Sequence, residues 1–169
     1  HKMNQTKEKF YEKISFNKDI LKNKNILSNK TCNQTILVIG GAGTIGSSYV
    51  KQILNYKPSK ITVVDINENG LTELTRDLRS SNLLDYNPEY ITYPVNLLSD
   101  TFDKIFNSET WQVVANFSAH KHVRSEKDKI SVEALIKNNI YGAIKLLNLC
   151  EVNPPKYFFS VSTDKAANS

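Results

Sequence analysis

The chain has 169 residues, 40% of them hydrophobic and 23% charged, with a formal net charge of +5. That is enough apolar material for one domain with a proper core, but no apolar run approaches the ~20 residues of a membrane span, and no signal-peptide pattern opens the sequence. The charge does not point to nucleic acid either: residues 1–30 hold eight lysines against three acids, while residues 31–169 hold fourteen of each sign, so the excess belongs to an amino-terminal arm and not to a groove of the folded body.

Two cysteines, Cys32 and Cys150, stand far apart with no CxxC or Cys/His spacing. Neither a disulfide framework nor a metal site is expected, and a reducing cytoplasm is the default compartment. His1 stands before the first Met and is read as the remnant of an expression tag.

Residues 1–34 are rich in Lys and Asn, with Phe10, Ile14, Ile20, Leu21, Ile26 and Leu27 at spacings that suit short amphipathic helices. From Thr35 the pattern changes. "TILVIG" is an unbroken apolar run ending in glycine, as expected of a strand buried on both faces of a parallel sheet. "GTIGSSYVKQILNYKP" reads as a helix stopped by Pro58, "KITVVDI" as a second buried strand and "NGLTELTRDLRSSNL" as a second helix. "EYITYPVNL" is a third strand. "SDTFDKIFN" opens on Ser99 and Asp100, which suit the start of a third helix.

"WQVVANFSA" is the fourth strand, "SVEALIKNNIYGAIKLLNLCEV" a long helix ending before Pro154-Pro155, and "KYFFSVST" the fifth strand. Strict alternation of strand and helix predicts a doubly wound α/β fold with a parallel sheet over residues 35–169, preceded by the basic helical arm of residues 1–34.

"VIGGAGTIGSSY", Val38 to Tyr49, contains four of the six glycines. Gly40, Gly43 and Gly46 form G-x-x-G-x-x-G between a predicted strand and helix. The first would permit a tight turn, the second a close approach of backbone to a pyrophosphate, and the third tight packing of helix on strand. Thr44, Ile45 and Gly46 open the helix, whose N-terminus would offer free N–H groups and partial positive charge to phosphates.

Asp65 ends the second strand 19 residues after Gly46, where an acid accepts the ribose hydroxyls of a dinucleotide. Its charge would repel a 2′-phosphate, so NAD is expected in preference to NADP. Asn96 follows the third strand, where its amide oxygen would either accept from the adenine amino group or serve a turn. Ser118 and Ala119 close the fourth strand at the carboxyl edge, where such sheets bind ligands. Two polar clusters follow strand ends: "SAHKHV", with His120, Lys121 and His122, and "STDKAANS", with Thr163, Asp164 and Lys165. A neighbouring acid and base at a strand terminus suit proton shuttling, while a solvated loop accounts for the histidines and Lys121 equally well.

"ILVIGGAGTIGSSY", "NFSAHKHV", "IKNNIYGAIKLL" and "FFSVSTDKAAN" share the order and spacing of extended short-chain dehydrogenase/reductases, which carry the Rossmann fold. More narrowly, the chain resembles the bacterial polysaccharide-biosynthesis nucleotide-sugar 4,6-dehydratases, including those acting on UDP-N-acetylglucosamine. The "AHKHV" and "STDKA" segments are the narrow markers.

The resemblance implies hydride abstraction from C4 of the sugar by NAD(P)+, loss of the C5 proton, departure of the C6 hydroxyl as water, and hydride return at C6. It assigns Thr163 to polarising the C4 region, Asp164 to the acid at C6, Lys165 to the base at C5, and Lys121 to orienting cofactor or substrate. Asn139 matches the helix asparagine of the family, with a structural role. It also implies a UDP-linked substrate, a homo-oligomer for the intact protein and a cytoplasmic location.

Two departures qualify the match. Asn96 stands where relatives often have Asp, and the sequence ends at Ser169, before the Tyr- or Met-x-x-x-Lys segment and the substrate domain of the family. The chain is therefore expected to be a cofactor-binding part, inactive alone. An epimerase or reductase on the same scaffold, or a non-catalytic dinucleotide-binding module, are the alternatives. The Asp164-Lys165 pair counts against the module.

Overall fold

The computed structural model describes residues 34–119 and 129–162. Its elements in chain order are β1 (Thr35–Ile39), α1 (Thr44–Leu54), β2 (Lys60–Val64), α2 (Glu68–Ser80), β3 (Glu89–Tyr93), α3 (Asp100–Asn107), β4 (Val113–Ala119), α4 (Lys129–Val152) and β5 (Tyr157–Ser162). The five strands form one parallel sheet in the order β3-β2-β1-β4-β5. The chain thus steps outward from β1 to β3, then returns to place β4 on the other side of β1. The reversal opens a crevice at the carboxyl ends of β1 and β4, the topological switch point of a doubly wound sheet.

Alternation along β1 explains why both faces are covered. Ile36 and Val38 point into a core with Tyr49, Val50, Ile53 and Leu54 of α1 and Leu71, Leu74 and Leu78 of α2. Leu37 and Ile39 point into a second core with Phe102, Ile105 and Phe106 of α3 and Leu146 of α4. Strands with apolar residues on both faces need helices on both sides, hence the uninterrupted apolar runs. Trp111 anchors the second core and donates its indole N–H to the Phe106 carbonyl at 2.9 Å.

The predicted elements are present with shifted ends. α1 stops at Leu54, before Pro58, because Asn55, Tyr56 and Lys57 donate to the carbonyls of Gln52, Ile53 and Leu54 in a tightened last turn, and Lys57 then adopts φ +55°. α2 begins at Glu68, capped by Asn67, whose Oδ1 accepts from Gly70 N at 2.9 Å. It ends at Ser80, ahead of Asn82 at φ +62°.

β3 covers only the first five residues of the expected strand. Pro94 has no N–H to donate, and Val95 N turns back to the Tyr93 carbonyl at 2.9 Å. Ser99 caps α3 as anticipated, accepting from Phe102 N at 3.4 Å. α4 starts two residues before the expected Ser131 and leaves Ile136, Ile140 and Ile144 partly exposed along one face. Among the described residues no helix is long and apolar enough to cross a membrane. The arm, residues 1–33, lies outside the described residues.

Candidate functional site

The turn between β1 and α1 is built almost without side chains, and its glycines differ in what surrounds them. Gly40 holds φ +76°, and a Cβ there would lie 2.6 Å from the Phe117 carbonyl carbon and 2.7 Å from Ser118 N. It is required both by its backbone angle and by the close passage of β4. A Cβ on Gly46 would lie 2.9 Å from Gly41 Cα and closer still to the Gly40 carbonyl oxygen, so this glycine lets the start of α1 rest on the turn. Gly41, which the pattern alone did not single out, lies against the Val63 side chain of β2.

Gly43 is different. A Cβ there would meet only the Gly40 carbonyl oxygen, at 3.6 Å, an ordinary van der Waals separation. The protein does not use the space beside Gly43 for its own packing. Gly43 is also the N-cap of α1 and offers no side-chain acceptor to the helix. The N–H groups of Thr44, Ile45 and Gly46 have no acceptor within the helix. The hydroxyls of Ser47 and Ser48 turn back to the Thr44 carbonyl, at 3.1 and 2.9 Å. An uncapped helix N-terminus beside an open glycine is a cradle suited to an anionic group, and the donor set fits a dinucleotide pyrophosphate.

Asp65, just past β2, closes the other side. Its Oδ2 accepts from Ala42 N and its Oδ1 from Asn67 N, both at 2.9 Å. The carboxylate therefore joins the glycine turn to the start of α2, with further lone pairs left for hydroxyl donors. Asn67 and Gly70 support it in ways the sequence reading missed: Asn67 caps α2, and a Cβ on Gly70 would lie 2.8 Å from Ala42 Cβ. Asn67 three residues ahead of Gly70 at a helix start was the available signal.

The remaining candidates divide. Asn96 serves a turn: its Oδ1 accepts from Leu98 N at 2.9 Å and its carbonyl from Ser99 N and Oγ. Ser118 lies at the crevice, with its backbone against Gly40 and its hydroxyl on Asn116 Oδ1 at 2.6 Å. Ala119 pairs with Ser162 across β4 and β5. Lys121 with its flanking histidines, and Thr163, Asp164 and Lys165, lie outside the described residues.

Tyr49 belongs to the core, its ring tilted against Phe117 and edge-to-face with Phe159 at centroid separations of 5.2 and 5.4 Å. Burial pushes its phenol well above the usual tyrosine range. A groove of about 610 Å³ runs between α2 and the β3 edge, lined by Thr72, Arg76 and Arg79 among others. Neither the glycine turn nor Asp65 contributes to it, so the backbone cradle and not this groove is the candidate site.

The family model described as "Polysaccharide biosynthesis protein" matches residues 36–169. A UDP-N-acetylglucosamine 4,6-dehydratase (inverting) of Campylobacter jejuni subsp. jejuni serotype O:23/36 is 32% identical over 139 residues, covering 80% of this chain and 38% of the relative. The capsular polysaccharide biosynthesis protein CapD of Staphylococcus aureus is 28% identical over 143 residues, covering 80% and 22%. The chain thus spans well under half the length of these relatives.

Among solved structures, the UDP-Glc/GlcNAc 4-epimerase of Campylobacter jejuni superposes with a TM-score of 0.60 at 23% identity, over 75% of this chain and 36% of that one. WbmF of Bordetella bronchiseptica in complex with NADH gives 0.59 at 19%, over 79% and 36%. These two show a shared fold. The family match over residues 36–169 carries the conclusion: the chain belongs to the family described as polysaccharide biosynthesis protein.

Proposed function

We propose that the chain is the dinucleotide-binding part of a nucleotide-sugar 4,6-dehydratase that serves surface polysaccharide biosynthesis. The observation that carries this is the open side of Gly43 at the uncapped N-terminus of α1, bordered by the anchored carboxylate of Asp65. A nicotinamide dinucleotide held there supplies reversible hydride acceptance. The first-turn N–H groups of α1 would bind its pyrophosphate, and Asp65 would accept its adenosine ribose hydroxyls, favouring NAD over NADP. Ser118 and Ala119 would border its path across the sheet edge, and Lys121 would orient cofactor or sugar.

In this proposal the chemistry on the sugar falls to the residues following β5. Thr163 would polarise the C4 oxygen. Lys165 would take the C5 proton once C4 is a ketone, and Asp164 would protonate the departing C6 hydroxyl so that water leaves. The names of the Campylobacter relative and of WbmF solved with NAD+ and UDP support a UDP-linked substrate.

The test uses the intact protein with NAD+ and UDP-N-acetylglucosamine in heavy water, followed by mass spectrometry and NMR. The expected result is loss of one water with one deuterium at C5. An unchanged mass with scrambled C4 configuration would replace the dehydratase with an epimerase, the activity named for one structural neighbour. Bound NAD+ with no turnover would reject this sugar as the substrate.

A further inference from the structure

The carboxyl ends of β4 and β5 do not pair evenly. Asn116 lies opposite Ser160 and Ala119 opposite Ser162, so β4 spends three steps where β5 spends two. The extra residue is a bulge at Phe117–Ser118, and a bulge leaves one backbone group outside the ladder and re-aims the residues after it. Here the freed group is accounted for. Ser118 N donates to Asn116 Oδ1 at 3.0 Å, and the same oxygen accepts from Ser118 Oγ at 2.6 Å. The other end of that amide, Nδ2, donates to Ser160 Oγ on β5 at 3.0 Å. Both partners are almost fully buried, Asn116 at 4% and Ser160 at 6% exposure.

The bulge also touches the cradle. The peptide that a Cβ on Gly40 would strike is the one joining Phe117 to Ser118. One buried amide therefore spans three things: the odd register of β4 on β5, the N–H released by the bulge, and the backbone on which the first glycine of the turn rests. The geometry points to Asn116 as a positioning residue, which locks the β4 bulge so that the glycine turn and the ends of β4 and β5 keep the spacing that dinucleotide binding needs. An apolar side chain of similar volume would fill the space but could neither hold the Ser118 N–H nor reach Ser160.

This inference rests on the dinucleotide-binding proposal, and its test separates the two. The 169-residue chain is prepared as wild type, N116L, N116D and S160A. Each is assayed for NAD+ affinity by calorimetry well below its melting temperature, and for Ser118 amide exchange by NMR. In N116L the Ser118 protection and the NAD+ affinity should each fall about tenfold, the scale of one lost buried hydrogen bond. N116D keeps an oxygen for Ser118 N–H and presents a second to the Ser160 hydroxyl. It should recover most of both readouts even if it melts earlier, which a purely stabilising role would not produce.

Wild-type affinity and protection in folded N116L would overturn the lock. If N116L does not fold, S160A decides, and wild-type values for both readouts in S160A would overturn it equally. If the wild type itself binds no NAD+, the proposed function falls. The lock is then judged on exchange alone: protection lost in N116L and kept in N116D upholds it, and any other pattern rejects it.

Discussion

A side chain at Gly46 would strike the backbone of Gly40 and Gly41, whereas one at Gly43 would meet a single atom at ordinary contact distance. The spacing of G-x-x-G-x-x-G assigns the second glycine to close approach of a pyrophosphate and the third to packing of helix on strand. The structure separates them, and the difference predicts opposite phenotypes. Gly43→Val should leave the fold in place, because the N-cap φ of −73° and ψ of 171° suit a β-branched residue. It should still lower NAD+ affinity at least tenfold, on the order of 1.4 kcal/mol or more, by filling the cradle. Gly46→Val should instead destabilise the chain itself by about 3 kcal/mol, the scale of severe overpacking. Circular dichroism melts and NAD+ titrations of both variants check this. Gly43→Val with wild-type affinity would mean that the open space is not where the pyrophosphate lies.

At the level of elements, apolar periodicity revealed where strands and helices lie, and local hydrogen bonding decided where they stop. Nothing in the residue pattern shows that Lys57 and Asn82 take positive φ after α1 and α2, since lysine rarely does and asparagine does so only at selected turns. One interaction between elements was equally hidden. Lys60 opens β2, Glu89 opens β3 and Glu109 precedes β4, so the parallel register gathers them at the amino edge of the sheet, opposite the cradle. Lys60 Nζ is hydrogen-bonded to Glu109 and lies 3.6 Å from Glu89 and 5.9 Å from the Trp111 ring centroid.

The bond to Glu109 outweighs partial burial and raises the Lys60 pKa above the ordinary lysine value. A lysine raised on folding stabilises fully below its unfolded pKa of about 10.4, and that contribution is lost as pH rises through the folded value. Lys60→Met should therefore cost about 1 kcal/mol near neutral pH, with the gap from wild type narrowing as the pH rises past the unfolded lysine pKa of about 10.4. Urea denaturation across this range tests it. A gap constant with pH would assign the loss to packing on Trp111 and not to charge.

Across the whole molecule, the alternating pattern called for a doubly wound parallel sheet, and the structure supplies its order, β3-β2-β1-β4-β5. The crevice between β1 and β4 follows from that order. The contents of the crevice were only half legible. Glycines and an acid carry recognisable spacing, but the bulge held by Asn116 and the packing of Gly70 on Ala42 depend on contacts between distant segments that no local pattern encodes. These distant supports also bear on cofactor choice. Asp65 is held by two backbone N–H groups and is not free to swing away from a 2′-phosphate.

A ligand that binds only the folded state at a hundred times its Kd stabilises it by about 2.7 kcal/mol. For a domain of this size that raises the melting temperature by roughly 5 °C or more. NAD+ should produce such a shift in the chain, and NADP+ at equal concentration a distinctly smaller one. Asp65→Asn should shrink the difference by removing the repulsion while keeping an acceptor for Ala42 N. Equal shifts in the wild type would mean that the 2′-phosphate avoids the carboxylate and that Asp65 does not select the cofactor.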